Sequence, residues 1–313
     1  MNILITGGAG FIGSHLAKLH LSLGDNVWII DNLLTGSKQN LDRMTGHTLK
    51  FYEADITTFD LNKLPRMDLV YHLASPASPV QYKKHPVETL LANSVGSYRL
   101  MEWLKSGHGH RLVLASTSEV YGDPLVHPQV ETYWGNVNSV GVRACYDEAK
   151  RFAEAIVTTY LRKYQIDVRV ARIFNTYGPN MEKNDGRIIS NFVIQALTNK
   201  PITVYGDGQQ TRSFCFVADL VKGLHLLGAK DSLKGEIVNL GNPDERTVLE
   251  MAKLIKQLTD SSSEIVFQPI EDDDPKKRKP DITKAKTLLD WEPKIGLEDG
   301  LKQTINYFKE RYP

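Results

Sequence analysis

The chain has 313 residues, enough for a large core arranged as two unequal lobes around one cleft. Its 38 Lys+Arg nearly balance 37 Asp+Glu, and a formal charge of +1 offers no long-range field for nucleic acid. Two cysteines, Cys145 and Cys215, exclude a disulfide framework and, without a C-x-x-C pair, give no sign of structural zinc, so no metal is expected.

A reducing, cytoplasmic setting fits this cysteine usage. The opening MNILITGG reads as a buried strand rather than a targeting segment. No apolar run reaches the length of a membrane span, so a soluble chain without membrane contact is expected.

In chain order, NILIT (2–6), NVWII (26–30), LKFYE (49–53), DLVYHLA (68–74), RLVLAS (111–116) and VRVARI (168–173) read as strands. They are short and almost wholly apolar, as in a parallel sheet covered on both faces. Helical stretches near 12–23, 86–105 and 146–164 lie between them, which predicts a doubly wound α/β sheet. Beyond about residue 175 the rhythm loosens. Helices are expected at 188–198, 219–228, 247–258 and 297–310, with short strands near 203–205, 214–217 and 236–240. The expected division is a dinucleotide-binding domain, 1–175 with 206–241 returning to it, and a smaller mixed lobe of 176–205 and 242–313. The charged run 271–281, EDDDPKKRKPD, reads by itself as a solvated loop.

Residues 6–13, TGGAGFIG, satisfy G-x-G-x-x-G from Gly8 and also space Gly7, Gly10 and Gly13 for a tight turn. Such glycines let a pyrophosphate approach the backbone, and the following helix offers unpaired N–H groups and a positive dipole end. The motif follows a strand, opens a helix, and has Asp31 at the end of the next strand. Asp31 would accept hydrogen bonds from ribose hydroxyls and repel a 2′-phosphate, favouring NAD over NADP. Lys38 and Arg43 argue the other way but lie beyond the strand end. Asp55 in EADI has two open readings, a loop cap or an approach to adenine.

Tyr146 is the tyrosine that has a lysine, Lys150, four residues on, and i and i+4 share a helix face. A free phenol ionises near pH ~10, so service as a base at neutral pH requires roughly 4 kcal/mol of preferential phenolate stabilisation. A lysine cation and an oxidised nicotinamide could supply it. Upstream, ASTSEVYG (115–122) ends a strand, where open α/β sheets bind ligands. Thr117 could bond a substrate hydroxyl, and Glu119 could act as acid or base. His108 and His110 in SGHGH read as surface loop, and Cys145 as structural.

With TGGAGFIG, Asp31 and YDEAK (146–150) in place, the chain resembles the extended short-chain dehydrogenase/reductase family over essentially its whole length. HLASPASP (72–79), ASTSEVYGDP (115–124), ETYWGNVNSVGVRACYDEAK (131–150), ARIFNTYGPNM (171–181), NDGR (184–187), TVYGDGQQTRSF (203–214) and DDPKKRKPDI (273–282) narrow it. They resemble the branch that removes the carboxyl group of a UDP-sugar acid.

The resemblance implies conversion of UDP-glucuronate to UDP-xylose through a 4-keto sugar, with NAD regenerated in each turnover. It implies that Tyr146 takes the C4 hydroxyl proton, Lys150 orients the nicotinamide ribose and tunes Tyr146, and Thr117 assists. Ser118, Glu119 and Arg278 would hold the sugar acid and aid decarboxylation or protonation, which gives the charged run a function through Arg278. Asn175, Tyr205, Arg212 and Arg278 would contact the UDP-sugar.

The implied cofactor shell is Gly7, Gly10, Phe11, Ile12, Gly13, Asp31, Asn32, Leu33, Thr35, Gly36, Asp55, Ile56, Leu73, Ala74, Ser75, Ala115, Tyr146, Lys150, Thr176 and Arg187. A homodimer through the helices near 86–105 and 146–164 is also implied. One departure is Leu91, where relatives commonly carry lysine, which removes that charge contact. Rival readings are a UDP-sugar 4-epimerase, which leaves Ser118, Glu119 and Arg278 without a task, and a 4,6-dehydratase, which typically uses Asp-Glu where this chain has Ser118-Glu119. A non-catalytic sensor would have no need of a poised base.

Overall fold

Alternating apolar runs and helices build one central sheet. In the computed structural model, which describes residues 1–42, 44, 48–269 and 277–312, the first six strands fall on the expected runs. They are β1 (Asn2–Thr6), β2 (Asn26–Asp31), β3 (Leu49–Glu53), β4 (Met67–His72), β5 (Gly109–Thr117) and β6 (Asp167–Ile173). The rest are β7 (Thr176–Tyr177), β8 (Ile202–Tyr205), β9 (Thr211–Ser213), β10 (Cys215–Phe216), β11 (Ile237–Leu240), β12 (Glu245–Thr247), β13 (Ile265–Gln268) and β14 (Lys277–Arg278).

Seven strands pair in parallel in the order β11-β6-β5-β4-β1-β2-β3. The order reverses between β1 and β4, the switch point where such sheets open a ligand crevice at the strands' carboxyl ends. Successive side chains leave a strand on opposite faces. Ile3 and Ile5 accordingly enter one apolar core and Leu4 the other, all fully buried.

Ten helices are described: α1 (Phe11–Ser22), α2 (Pro79–Lys84), α3 (Pro86–Leu91), α4 (Ser97–Trp103), α5 (Ala144–Tyr164), α6 (Ile188–Leu197), α7 (Val217–Ala229), α8 (Val248–Thr259), α9 (Thr283–Leu289) and α10 (Leu297–Arg311). Helices α1 and α7 contribute to the core of Ile3 and Ile5, and α4 and α5 to that of Leu4. Outside the large sheet, β12-β9-β14, β13-β8 and β10-β7 form small sheets near α6, α8 and α10.

Several expectations need correction. The single helix expected at 86–105 is α3 and α4 joined by a π turn at Ala92–Gly96, with a second π turn at Leu104–His108. Gly107, at φ +92°, takes the left-handed conformation that stops the run. SGHGH is not a loop. His108 stacks on Trp103 at 5.7 Å, and His110 lies inside β5, which begins early because Gly109 pairs with Met67. The strand expected at 214–217 is the two-residue β10, followed at once by α7, and β9 at Thr211–Ser213 is a separate short strand before it. Helices α2 and α9 are too short, at six and seven residues, to show a clear apolar period.

Candidate active site

The glycine turn is closed by packing that tolerates no side chain. Gly7 sits at φ +74°, and a Cβ there would stand 2.8 Å from the Ala74 backbone nitrogen. A Cβ on Gly13 would stand 2.2 Å from the Gly7 carbonyl oxygen. Helix α1 therefore starts hard against the end of β1. Its N-cap is Gly10, no side chain caps it, and its first turn holds no acid. Its first N–H groups and dipole are left for an anion.

Asp31 ends β2 and receives the Ala9 N–H on Oδ2 at 2.9 Å and the Leu33 N–H on Oδ1 at 2.8 Å. Burial pushes its carboxyl up from the usual range, and the N–H donors of Leu33, Ala9 and Gly10 pull it back. Asp55 does cap its loop: Oδ1 accepts from Thr57 N at 2.8 Å and from Thr57 Oγ1 at 2.6 Å. Its other oxygen accepts from Asn32 Nδ2 at 2.8 Å, and the residue also lines the cleft. Lys38 pairs with Glu53 at 2.5 Å, while Arg43 falls outside the described residues.

These groups line a cleft of about 530 Å³, within the ordinary range of ligand pockets. Most of the expected residues face it, among them Asn175, Thr176, Arg187, Tyr205, Arg212 and Arg278. Two do not. Leu33 takes a left-handed φ of +58° and spends its N–H on Asp31, so Leu34 lines the cleft in its place. Gly36 packs on the backbone of Ala9, where a Cβ would stand 3.0 Å from the carbonyl carbon. Leu91 also lies away from the cleft lining.

Tyr146 and Lys150, both nearly fully buried, project from one face of α5. Lys150 Nζ donates to the Ala115 carbonyl at 2.8 Å and lies 5.9 Å from the Tyr146 ring centroid. Burial brings the Lys150 ammonium down to about 7, with the Glu154 carboxylate, one turn further on, resisting. Arg172 holds Glu154 through two guanidinium nitrogens, at 3.0 and 2.8 Å, and Ser116 Oγ donates to it at 2.6 Å. Burial pushes the Tyr146 phenol up; its hydrogen bond with Thr117 and the charge of Arg187 pull it down, while Glu119 and Asp147 push it further up.

Thr117 caps the 3-10 turn Ser118–Tyr121, accepting the Glu119 N–H at 3.2 Å. Glu119 is then clamped between two guanidinium groups. Arg143 Nη2 donates to Oε2 at 2.7 Å, and Arg278 Nη1 to Oε1 at 3.1 Å. Arg278 also donates to Ser118 Oγ at 2.9 Å and to the Gly122 carbonyl at 3.1 Å. Burial alone would raise the Glu119 carboxyl, but Arg278 and then Arg143 hold it well below the usual range.

Arg278 is only 2% exposed and sits on β14, which pairs in parallel with β9 so that it lies opposite Arg212. Of the charged run, 271–276 fall outside the described residues, whereas Lys277 to Asp281 lie within them. Gln129 anchors them by accepting the Lys279 N–H on Oε1 and by backbone bonds to Lys279 and Asp281.

Tyr82 and Arg143 went unnoticed in the sequence. The Tyr82 ring stacks on Tyr146 at 5.0 Å and 4°, its hydroxyl is buried without a partner, and Arg143 lies over it at 5.9 Å. The three-residue spacing from Arg143 to Tyr146 was visible, but one helical turn joins many such pairs. Cys145 contacts the Tyr82 carbonyl at 3.6 Å, and burial raises its thiol above the ordinary value, so it is no poised nucleophile.

The arrangement offers a tight glycine turn at an uncapped helix N-terminus, a buried Tyr/Lys pair, and an arginine–carboxylate clamp at the carboxyl ends of the strands. Residues 3–241 match the NAD dependent epimerase/dehydratase family. The chain is 52% identical over 315 aligned residues to UDP-glucuronic acid decarboxylase 4 of Arabidopsis thaliana, covering 99% of this chain and 69% of that protein. It is 51% identical to UDP-glucuronic acid decarboxylase 1 of Xenopus tropicalis, covering 98% and 72%. Among solved structures it resembles a UDP-glucose 4-epimerase from Thermotoga maritima, with TM-score 0.91, 33% identity and full coverage of both chains. It also resembles a UDP-glucuronic acid 4-epimerase from Bacillus cereus in complex with UDP-glucuronic acid and NAD, with TM-score 0.90, 30% identity and full coverage of both chains. The chain belongs to the NAD dependent epimerase/dehydratase family.

Proposed function

We propose that the protein is a UDP-glucuronate decarboxylase that forms UDP-xylose and carbon dioxide. The observation that carries this reading is the buried Arg278 clamp on Ser118 and Glu119, set beside Tyr146. A 4-epimerase needs only the Tyr/Lys pair, and would leave this clamp without work. The identity of just over one half to UDP-glucuronic acid decarboxylases over almost the whole chain supports the same reading.

The residues fit NAD. Gly7 and Gly13 bring the backbone close, the open N-terminus of α1 suits a pyrophosphate, and Asp31 suits a ribose diol. Bound NAD supplies the reversible oxidation at sugar C4. Tyr146 takes the C4 hydroxyl proton and Thr117, hydrogen-bonded to the phenol, steadies both groups. Lys150, 5.9 Å from the Tyr146 ring centroid, lends positive charge to the phenolate when protonated. The 4-keto sugar acid is a β-keto acid, so carbon dioxide departs and leaves an enolate. Arg278 stabilises that charge, and Ser118 and Glu119 order the route by which C5 regains a proton. Asn175, Tyr205 and Arg212 hold the UDP portion, with Tyr82 and Arg143 flanking the sugar.

Residues 1–175 with 206–241 form the cofactor domain in this reading, and 176–205 with 242–313 the nucleotide-sugar lobe. The exposed apolar side chains of Val87, Leu90, Leu91, Tyr98 and Phe152 on α3, α4 and α5 support a homodimer joined through these helices. Two free cysteines, one of them fully buried, suit the cytoplasm.

The test is an assay with UDP-glucuronate and catalytic NAD. UDP-xylose and carbon dioxide are expected. Release of no carbon dioxide, with interconversion of UDP-glucuronate and its C4 epimer instead, would replace this reading by the epimerase.

A further inference from the structure

Asp147 follows Tyr146 on α5 and takes no part in the chemistry above. It is nearly fully buried, and its Oδ1 has no hydrogen-bond partner. The titratable and charged groups around it come from four elements: Tyr82 on α2, Glu119 on the 3-10 turn after β5, Arg278 on β14, and Arg143, Cys145, Tyr146 and Glu148 in or beside α5. Asp147 lies one helical turn from Arg143, its N–H donating to the Arg143 carbonyl at 3.0 Å, and the Arg143 guanidinium reaches past it to Glu119 at 2.7 Å, which also takes Arg278 at 3.1 Å. Two buried carboxylates so placed repel each other, and one of them holds a proton far more cheaply than both ionise. Glu119 has the guanidinium contacts, so the proton belongs on Asp147.

We propose that Asp147 is a positioning residue that stays a neutral acid, keeping a second negative charge away from the place where the sugar carboxylate binds. This rests on the decarboxylase reading, which puts that carboxylate beside Arg278 and Glu119. The electrostatics agree, since burial first and the Glu119 charge second push the Asp147 carboxyl up to about 8. Above that pH Asp147 ionises, repels an incoming carboxylate, and competes with Glu119 for Arg143. A neutral sugar at the same position feels no such repulsion.

The experiment measures the Kd of the NAD-loaded protein for UDP-glucuronate and for UDP-glucose from pH 6.5 to 9.5, in wild type and D147N. For wild type, the ratio of the two constants should rise against UDP-glucuronate by about tenfold across the upper part of this range, the size of one unfavourable buried charge at moderate distance. Lys150 titrates nearby, so the variant makes the assignment: D147N keeps the shape, cannot ionise, and should lose most of that rise.

A wild-type ratio that stays flat overturns the proposal without any variant. A D147N protein that keeps the full wild-type rise overturns it as well. So does a folded D147N protein that no longer binds UDP-glucuronate at pH 6.5, because an ionised Asp147 would then be the useful form. Should D147N fail to fold, side-chain isotope-edited infrared spectra of wild type, with Glu119→Gln as reference, read whether a protonated aspartate near Glu119 titrates in the alkaline range; no such band overturns the proposal. Failure of wild type to bind UDP-glucuronate at all overturns the decarboxylase reading and this inference together, whereas binding with an unaltered pH dependence in D147N overturns only the inference.

Discussion

The two walls of the cleft are built on different principles. The glycine-turn wall is backbone and close packing: Gly7, Gly13 and Asp31 lie within one short βαβ unit and are fixed by contacts to Ala74, Ala9 and each other. The opposite wall is a set of charged side chains from distant places, with Arg278 reaching Ser118 and Glu119 across about 160 residues of sequence. A backbone cradle is rigid and indifferent to pH. A buried ionic clamp depends on every member being charged as its partners require, and breaking one leaves another unpaired at several kcal/mol. Perturbation should therefore act sterically on the first wall and electrostatically on the second.

The largest effect is expected where the walls meet. Tyr146→Phe should lower kcat by about a thousandfold, within the range of a lost general base, while leaving NAD affinity near the wild-type value. Steady-state turnover with an NAD titration checks both, and an active phenylalanine variant would remove Tyr146 from the chemistry. Arg278→Ala should cost on the order of a hundredfold in kcat and weaken UDP-glucuronate binding. Arg278→Lys should recover only part of this, because an ammonium cannot span Ser118, Glu119 and Gly122 as the fork does. Full recovery would reduce the clamp to simple charge.

On the glycine-turn wall, Gly13→Ala should weaken NAD binding and cost about 1–3 kcal/mol of stability, since the added methyl meets backbone rather than a yielding side chain. Its effect should be the same at pH 6 and pH 9, read by calorimetric NAD titration and thermal melting. A strong pH dependence would contradict the contrast drawn between the walls.

A pH-dependent stability difference is expected at Asp147. Its carboxyl titrates higher in the folded chain than the ordinary value of about 4 for an unfolded one, so the native state binds the extra proton between these values. Stability associated with Asp147 is thus complete in acid and is lost as pH rises toward about 8. D147N should melt higher than wild type by a margin that grows from pH 5 to pH 8. A constant margin would mean that burial leaves this carboxyl untouched.

Much was legible in the sequence. The glycine turn, Asp31, the Tyr146/Lys150 pair and the six leading strands are local patterns, each set by spacing within a few residues and by the need to bury an apolar run. Leu33 and Gly36 lie off the cleft lining because of a left-handed φ and a backbone contact, neither of which the sequence shows. The break of the 86–105 helix into π turns was hidden as well, because its apolar residues still recur at helical spacing.

What the sequence by itself determined is the glycine-turn half, because a backbone cradle needs residues that are neighbours in the chain. The tertiary structure alone decided the ionic half. Stacking of Tyr82 on Tyr146, the double hold on Glu119, and the burial of Arg278 beside Arg212 all follow from β14 pairing with β9 and α2 packing near α5. No local pattern encodes such contacts, and the charge state of Asp147 depends on all of them at once.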